Sequence, residues 1–160
     1  MKHLMAFVLV VLLSPALTGT AAADDVADVK ATVLALYEAL NSGDADGISK
    51  RRDAQGDNFG PAGGLLYEPP AGFTTEDDRS NQQALIDAGR KLNYQVQHLN
   101  VKVYGNAAVA TYYRTLSGTA ADGTPLSGGP DRVSMVLNKQ NGQWKWIHLH
   151  ASPLLPAAPQ

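Results

Sequence analysis

The chain has 160 residues, no cysteine, and a formal charge of −2 at pH 7 from 13 basic and 15 acidic residues. That length suits one domain. The charge excludes a broad basic face for nucleic acid, and the absence of thiols excludes disulfides, cysteine nucleophiles, thiolate metal sites and a lipid-modified N-terminal cysteine.

Lys2 and His3 precede an apolar run from Leu4 to Leu13, and small residues follow up to Ala21-Ala22-Ala23. This order predicts a secretory signal peptide over residues 1–23, its apolar run shorter than the roughly 20 residues a membrane span needs. Cleavage before Asp24 removes Lys2 and takes the formal charge from −2 to −3. The expected mature protein is periplasmic or secreted, without membrane insertion.

From Asp24 to Asn41 the residues Val26, Val29, Val33, Leu36, Tyr37 and Leu40 recur at helical spacing, which turns one stripe toward a core. Ser42-Gly43 stops this helix. Asp44 then caps a short second helix over about Ala45 to Arg52, with Ile48 as its anchor. Residues 53–75 are rich in Gly and Pro and read as a long loop over the core, with room for a short strand near Leu65 to Tyr67. Thr75, followed by Glu76, Asp77 and Asp78, predicts a third helix that ends near Gly89.

Beyond Gly89 the period changes to alternation. Leu99, Val101 and Val103 share one parity, whereas Tyr94, Val96 and His98 have the other, which calls for a bulge or bend near His98. Gly105-Asn106 and Asp122-Gly123 are turns, and between them Ala107 to Leu116 is strand-like. Arg132 to Gln140 and Gln143 to Ala151 flank Asn141-Gly142, the pair favoured in two-residue type I′ hairpins. Regular pairing of Gln140 with Gln143 places Leu137 opposite Trp146, Met135 opposite His148 and Val133 opposite His150 on one face. Val136, Ile147, Leu149, Ser134 and Arg132 fall on the other. Helices followed by consecutive antiparallel strands define an α+β domain over residues 24–152, and Pro153, Pro156 and Pro159 mark residues 153–160 as a tail.

The run Leu36-Tyr37-Glu38-Ala39-Leu40-Asn41-Ser42-Gly43-Asp44-Ala45-Asp46-Gly47-Ile48 resembles the opening helices of nuclear-transport-factor-2-like domains. Arg132-Val133-Ser134, Gly142, Trp144, His148, His150 and Ser152 resemble the last hairpin of the SnoaL-like branch and of the calmodulin-dependent kinase association domain. The resemblance implies a cone-shaped, curved antiparallel sheet packed on about three N-terminal helices, a pocket at its wide end, and a homodimer or higher oligomer. It implies no single activity.

Tyr112 and Arg114 share a strand face and match an aromatic-x-Arg pair that lines the association-domain pocket. Trp146, His148 and His150 share a parity on the expected neighbouring hairpin. These five residues are the candidate ligand-binding set, and an inward Arg114 suits a small carboxylate whose loss of binding in Arg114→Ala would leave stability nearly unchanged. Arg132 is read as a structural or interface ion-pairing residue. His148, His150 and His98 make no obvious zinc set, so no metal and no cofactor is expected. In the isomerase pattern the tyrosine position falls on Leu36 and the base position near Gly60, with Tyr37 and Asp57 as shifted substitutes. The reading is an exported, non-catalytic domain that binds a small anionic or polar-aromatic molecule and self-associates through its sheet, because the hairpin is apolar on both faces. The alternative is a small-molecule isomerase, lyase or hydrolase that uses a pocket histidine with Tyr112 as acid and base.

Overall fold

The computed structural model describes residues 18–60 and 66–154. Three helices, α1 (Thr18–Ser42), α2 (Ala45–Ser49) and α3 (Thr75–Asp87), accompany six strands: β1 (Arg52–Phe59), β2 (Leu66–Tyr67), β3 (Lys91–Tyr104), β4 (Ala107–Thr119), β5 (Pro125–Gln140) and β6 (Gln143–Pro153). The strands form one curved sheet in the order β2-β1-β6-β5-β4-β3. Most of the expected signal peptide and of the proline-rich tail lies outside the described residues. The expected cleavage point before Asp24 falls within α1.

The helix stripe behaves as its spacing requires. Val29, Val33, Leu36 and Tyr37 are buried against the inner face of the sheet, where they meet Ala108, Ala110, Tyr112, Val133, Met135, Leu137, Trp144, Trp146, Leu149 and Ala151. Alanines on the strands beneath α1 leave room for its larger side chains, and each fully buried Val or Leu contributes about 1.5–3 kcal/mol. Lys139 Nζ donates to Asp25 Oδ1 at 2.5 Å, which ties the start of the buried stripe to the last hairpin.

Local signals set the ends of the elements. Asp44 caps α2 by accepting from Gly47 N at 2.9 Å, but α2 stops at Ser49, short of Arg52. Thr74, rather than Thr75, caps α3, in a reciprocal capping box with Asp77. Asn141 and Gly142 both take positive φ, as a type I′ turn demands.

Two expectations need correction. The segment read as a loop from residue 53 carries β1, which pairs in parallel with β6 and antiparallel with β2. Its partner lies about ninety residues further on, so no local turn announces it. Gly56 breaks the strand pattern because a Cβ there would lie 3.0 Å from Asp53 O and 3.2 Å from Ile147 O. The glycine thus permits a close backbone approach.

The second correction concerns the last hairpin. Gln140↔Gln143 and Leu137↔Trp146 pair as expected, but the register then shifts: Val136 faces His148, Met135 faces Leu149, Ser134 faces His150 and Val133 faces Ala151. Ile147 is the extra residue. A one-residue slip exchanges the faces of everything beyond it, so Leu149 enters the core while His148 and His150 turn outward with Ser134 and Val136. The driving force is plain: an unbulged strand would bury two imidazoles and expose a leucine. A second bulge, between Gln97 and Asn100, reconciles the two parities in β3 and lets Tyr94, Val96, Leu99, Val101 and Val103 all pack inward.

Candidate functional site

The inner face ends in a polar aromatic cluster. Tyr37 comes from α1, Tyr94 from β3, Tyr112 and Arg114 from β4, and Asp131 from β5, directly across from Arg114. Tyr37 Oη and Tyr112 Oη lie 2.8 Å apart, and Arg114 Nη1 donates to Tyr37 Oη at 3.2 Å. Arg114 Nε donates to Asp131 Oδ2 at 3.4 Å, and the guanidinium carbon sits 5.2 Å from the centre of the Tyr94 ring. Tyr37 meets Tyr94 and Tyr112 edge-on, at centroid separations of 5.2 and 5.7 Å. The side chains of Arg114 and Asp131 are only 11% and 8% exposed.

The charge states follow from burial and neighbours. Burial, with Tyr37 beside it, pushes the Tyr112 hydroxyl well above its ordinary range, and burial raises Tyr94 as well. Burial opposes the charge on Arg114, yet the surrounding Tyr37 and Tyr94 hydroxyls outweigh it, so the guanidinium stays charged. The cluster therefore holds one cation already matched by Asp131, beside the Tyr94 and Tyr112 phenols that burial keeps protonated.

In front of it, between α1 and β3, lies an open groove of about 500 Å³ lined by Leu34, Tyr37, Glu38, Asn41, Tyr94 and Val96. Asn41 pins its floor: the side-chain nitrogen donates to Tyr94 O at 2.9 Å, and the side-chain oxygen accepts from Tyr94 N at 2.6 Å. Leu34 is half exposed at the rim, and the Glu38 carboxylate is exposed beside it.

The structure divides the five candidate residues. Tyr112 and Arg114 meet as expected. Trp146 shares their inner face but packs on Arg52, whose guanidinium carbon is 4.8 Å from the indole ring and 5.1 Å from the ring of Tyr67. Arg52 also donates to Asp78 Oδ1 at 3.2 Å and to Gly56 O at 3.0 Å, locking α3 to β1. His148 and His150 are on the opposite face, a consequence of the Ile147 bulge, so the expected common cavity does not form. There His148 Nδ1 contacts Asp57, and Phe59 lies edge-on to both imidazoles. Tyr37 points into the inner cluster while Asp57 is across the sheet, which leaves the shifted isomerase pair without a shared site. Among the described residues no group of three or more His, Asp or Glu side chains is placed to hold a metal. Tyr94 and Asp131 are the members that sequence reasoning missed. Asp131 becomes visible only through its pairing with Arg114, which requires the exact length of the hairpin between β4 and β5.

The comparisons agree with this fold. The model of the SnoaL-like domain matches residues 29–156, and the chain belongs to that family. Solved structures show the same architecture at low identity. An NTF2-like protein from Streptomyces avermitilis, a dehydratase by its provisional name, is 19% identical with a TM-score of 0.64, covering 84% of this chain and 99% of its own. The association domain of C. elegans CaMKII is 23% identical with a TM-score of 0.60, covering 82% and 98%. An NTF2-like protein of unknown function from Pseudomonas putida is 15% identical with a TM-score of 0.59, covering 84% and 90%. No curated protein matches the chain in sequence.

Proposed function

We propose that this SnoaL-like domain binds a small, uncharged polar-aromatic molecule in the groove between α1 and β3, and performs no chemistry on it. The carrying observation is the neutralised cluster behind the groove. Arg114 is matched by Asp131 and Glu38 stands at the rim, so a carboxylate ligand would compete with one acid and be repelled by another. Tyr37 and Tyr94 offer aromatic edges, Leu34 and Val96 apolar contact, and Asn41 and Ser42 hydrogen-bonding groups, the mixture typical of small-molecule sites. Acid–base work near neutrality needs a group with a pKa near that range, and the buried phenols are moved away from it. The alternative that joined Tyr112 to a pocket histidine lacks support, since the sheet separates them.

Export and self-association belong to the same reading. Asp24 and Asp25 would become the first turn of α1 after cleavage, where negative charge is favourable. The likeness to an association domain supports assembly. Its seat would be the exposed Tyr104 and Val109 at one end of the outer face; the hairpin itself offers that face less apolar surface than its alternation suggests, because Leu149 turns into the core.

The test of the ligand is a calorimetric titration of the mature protein with p-cresol and with benzoate. We expect saturable p-cresol binding that Tyr94→Ala and Leu34→Asp remove, and weaker binding of benzoate. Tighter binding of benzoate, or p-cresol binding unaffected by both substitutions, contradicts the proposal.

A further inference from the structure

We propose that the outer face of the sheet carries a second, separate site, centred on Arg132, for a small phosphate-bearing molecule. A hollow of about 330 Å³ opens there, with His98, Thr111, Tyr113, Arg132 and Ser134 among the residues that line it. That volume suits inorganic phosphate or a compact monoester and sits at the small end of known ligand pockets.

Strand register builds the site. Thr111 pairs with Ser134, Tyr113 with Arg132, and Ser134 with His150, so three neighbouring strands present one polar patch. The bulge in β3 adds a fourth wall: His98 takes φ 56 there and lies edge-on to Tyr113 at 5.9 Å. A left-handed histidine costs about 1–3 kcal/mol, and such conformations cluster at functional sites.

Charge selects the ligand. Arg132 is exposed and, among the described residues, takes part in no ion pair within the chain. Asp131, next to it in the chain, is turned inward onto Arg114, and Asp57, on the outer face, is held by His148. The patch thus combines an uncompensated guanidinium, two flanking imidazoles and three hydroxyls. A carboxylate would use the Arg fork alone, whereas the additional donors around it match the further oxygens of a phosphate.

The experiment is a titration of the mature protein with inorganic phosphate and phenyl phosphate at constant ionic strength, followed through the histidine ring protons. Saturable shifts of His98 and His150 are expected. Arg132→Gln should weaken binding at least about tenfold, the size of one lost charge-assisted hydrogen bond, with an unchanged thermal midpoint. Ser134→Ala should weaken it severalfold, and Tyr94→Ala, which removes p-cresol binding, should leave it intact. The proposal is overturned by no saturable shift, by equal shifts in Arg132→Gln, or by a dimer that buries His98 and His150 before phosphate is added.

Discussion

Arg114 shows how context changes the meaning of one residue. From sequence, an inward arginine suggests a free cation awaiting a carboxylate, and its removal looks harmless to stability. In the structure it is buried against Asp131, so Arg114→Ala strands a carboxylate and should destabilise the fold by about 3 kcal/mol. Urea denaturation of Arg114→Ala against Arg114→Leu/Asp131→Asn checks this: the double variant should recover most of the loss, and a single variant as stable as the parent would refute the buried pair. The tyrosines give a pH dependence. Tyr112 is raised, so its folded form keeps the proton while the unfolded chain begins to lose it near its ordinary value of about 10. Its stabilising contribution is complete below that value and is lost as pH rises toward the folded value. Stability should therefore fall with alkaline pH from about 10, and Tyr112→Phe should flatten the slope; an unchanged slope counts against burial of the hydroxyl.

At the scale of elements, the helices, the bulge in β3 and the last turn were legible because their determinants are local: a stripe, a change of parity, an Asn-Gly pair. The shift at Ile147 was not. Both registers of β6 offer alternating apolar residues, and only the core beneath decides that Leu149 enters and the histidines leave. β1 was hidden for a related reason, since its parallel partner is distant and Gly56 looks like a loop residue. The shifted register has a direct check by chemical denaturation. Leu149→Ala should cost about 2–5 kcal/mol, and His150→Ala should stay within about 0.5 kcal/mol. The unshifted register requires the reverse order. Three of the five candidate residues kept their expected face for the same reason: Tyr112, Arg114 and Trp146 precede any irregularity in their strands, whereas His148 and His150 follow one.

For the whole molecule, the fold separates two faces of one sheet. The inner face is closed by α1 and ends in a neutralised aromatic cluster, and the outer face carries the polar residues around Arg132 and His150. The proposed self-association would use the outer face. Sedimentation at micromolar concentration should show a dimer or larger species that Tyr104→Asp and Val109→Asp dissociate, and a strict monomer would remove self-association. Binding in the groove is the central claim, and intermolecular nuclear Overhauser contacts from p-cresol to methyl-labelled protein test it most directly. Cross-peaks from the p-cresol ring to the Leu34 and Val96 methyls are expected at saturation. Cross-peaks to Val109 and Val136 on the outer face instead, or none at saturating p-cresol, would contradict it.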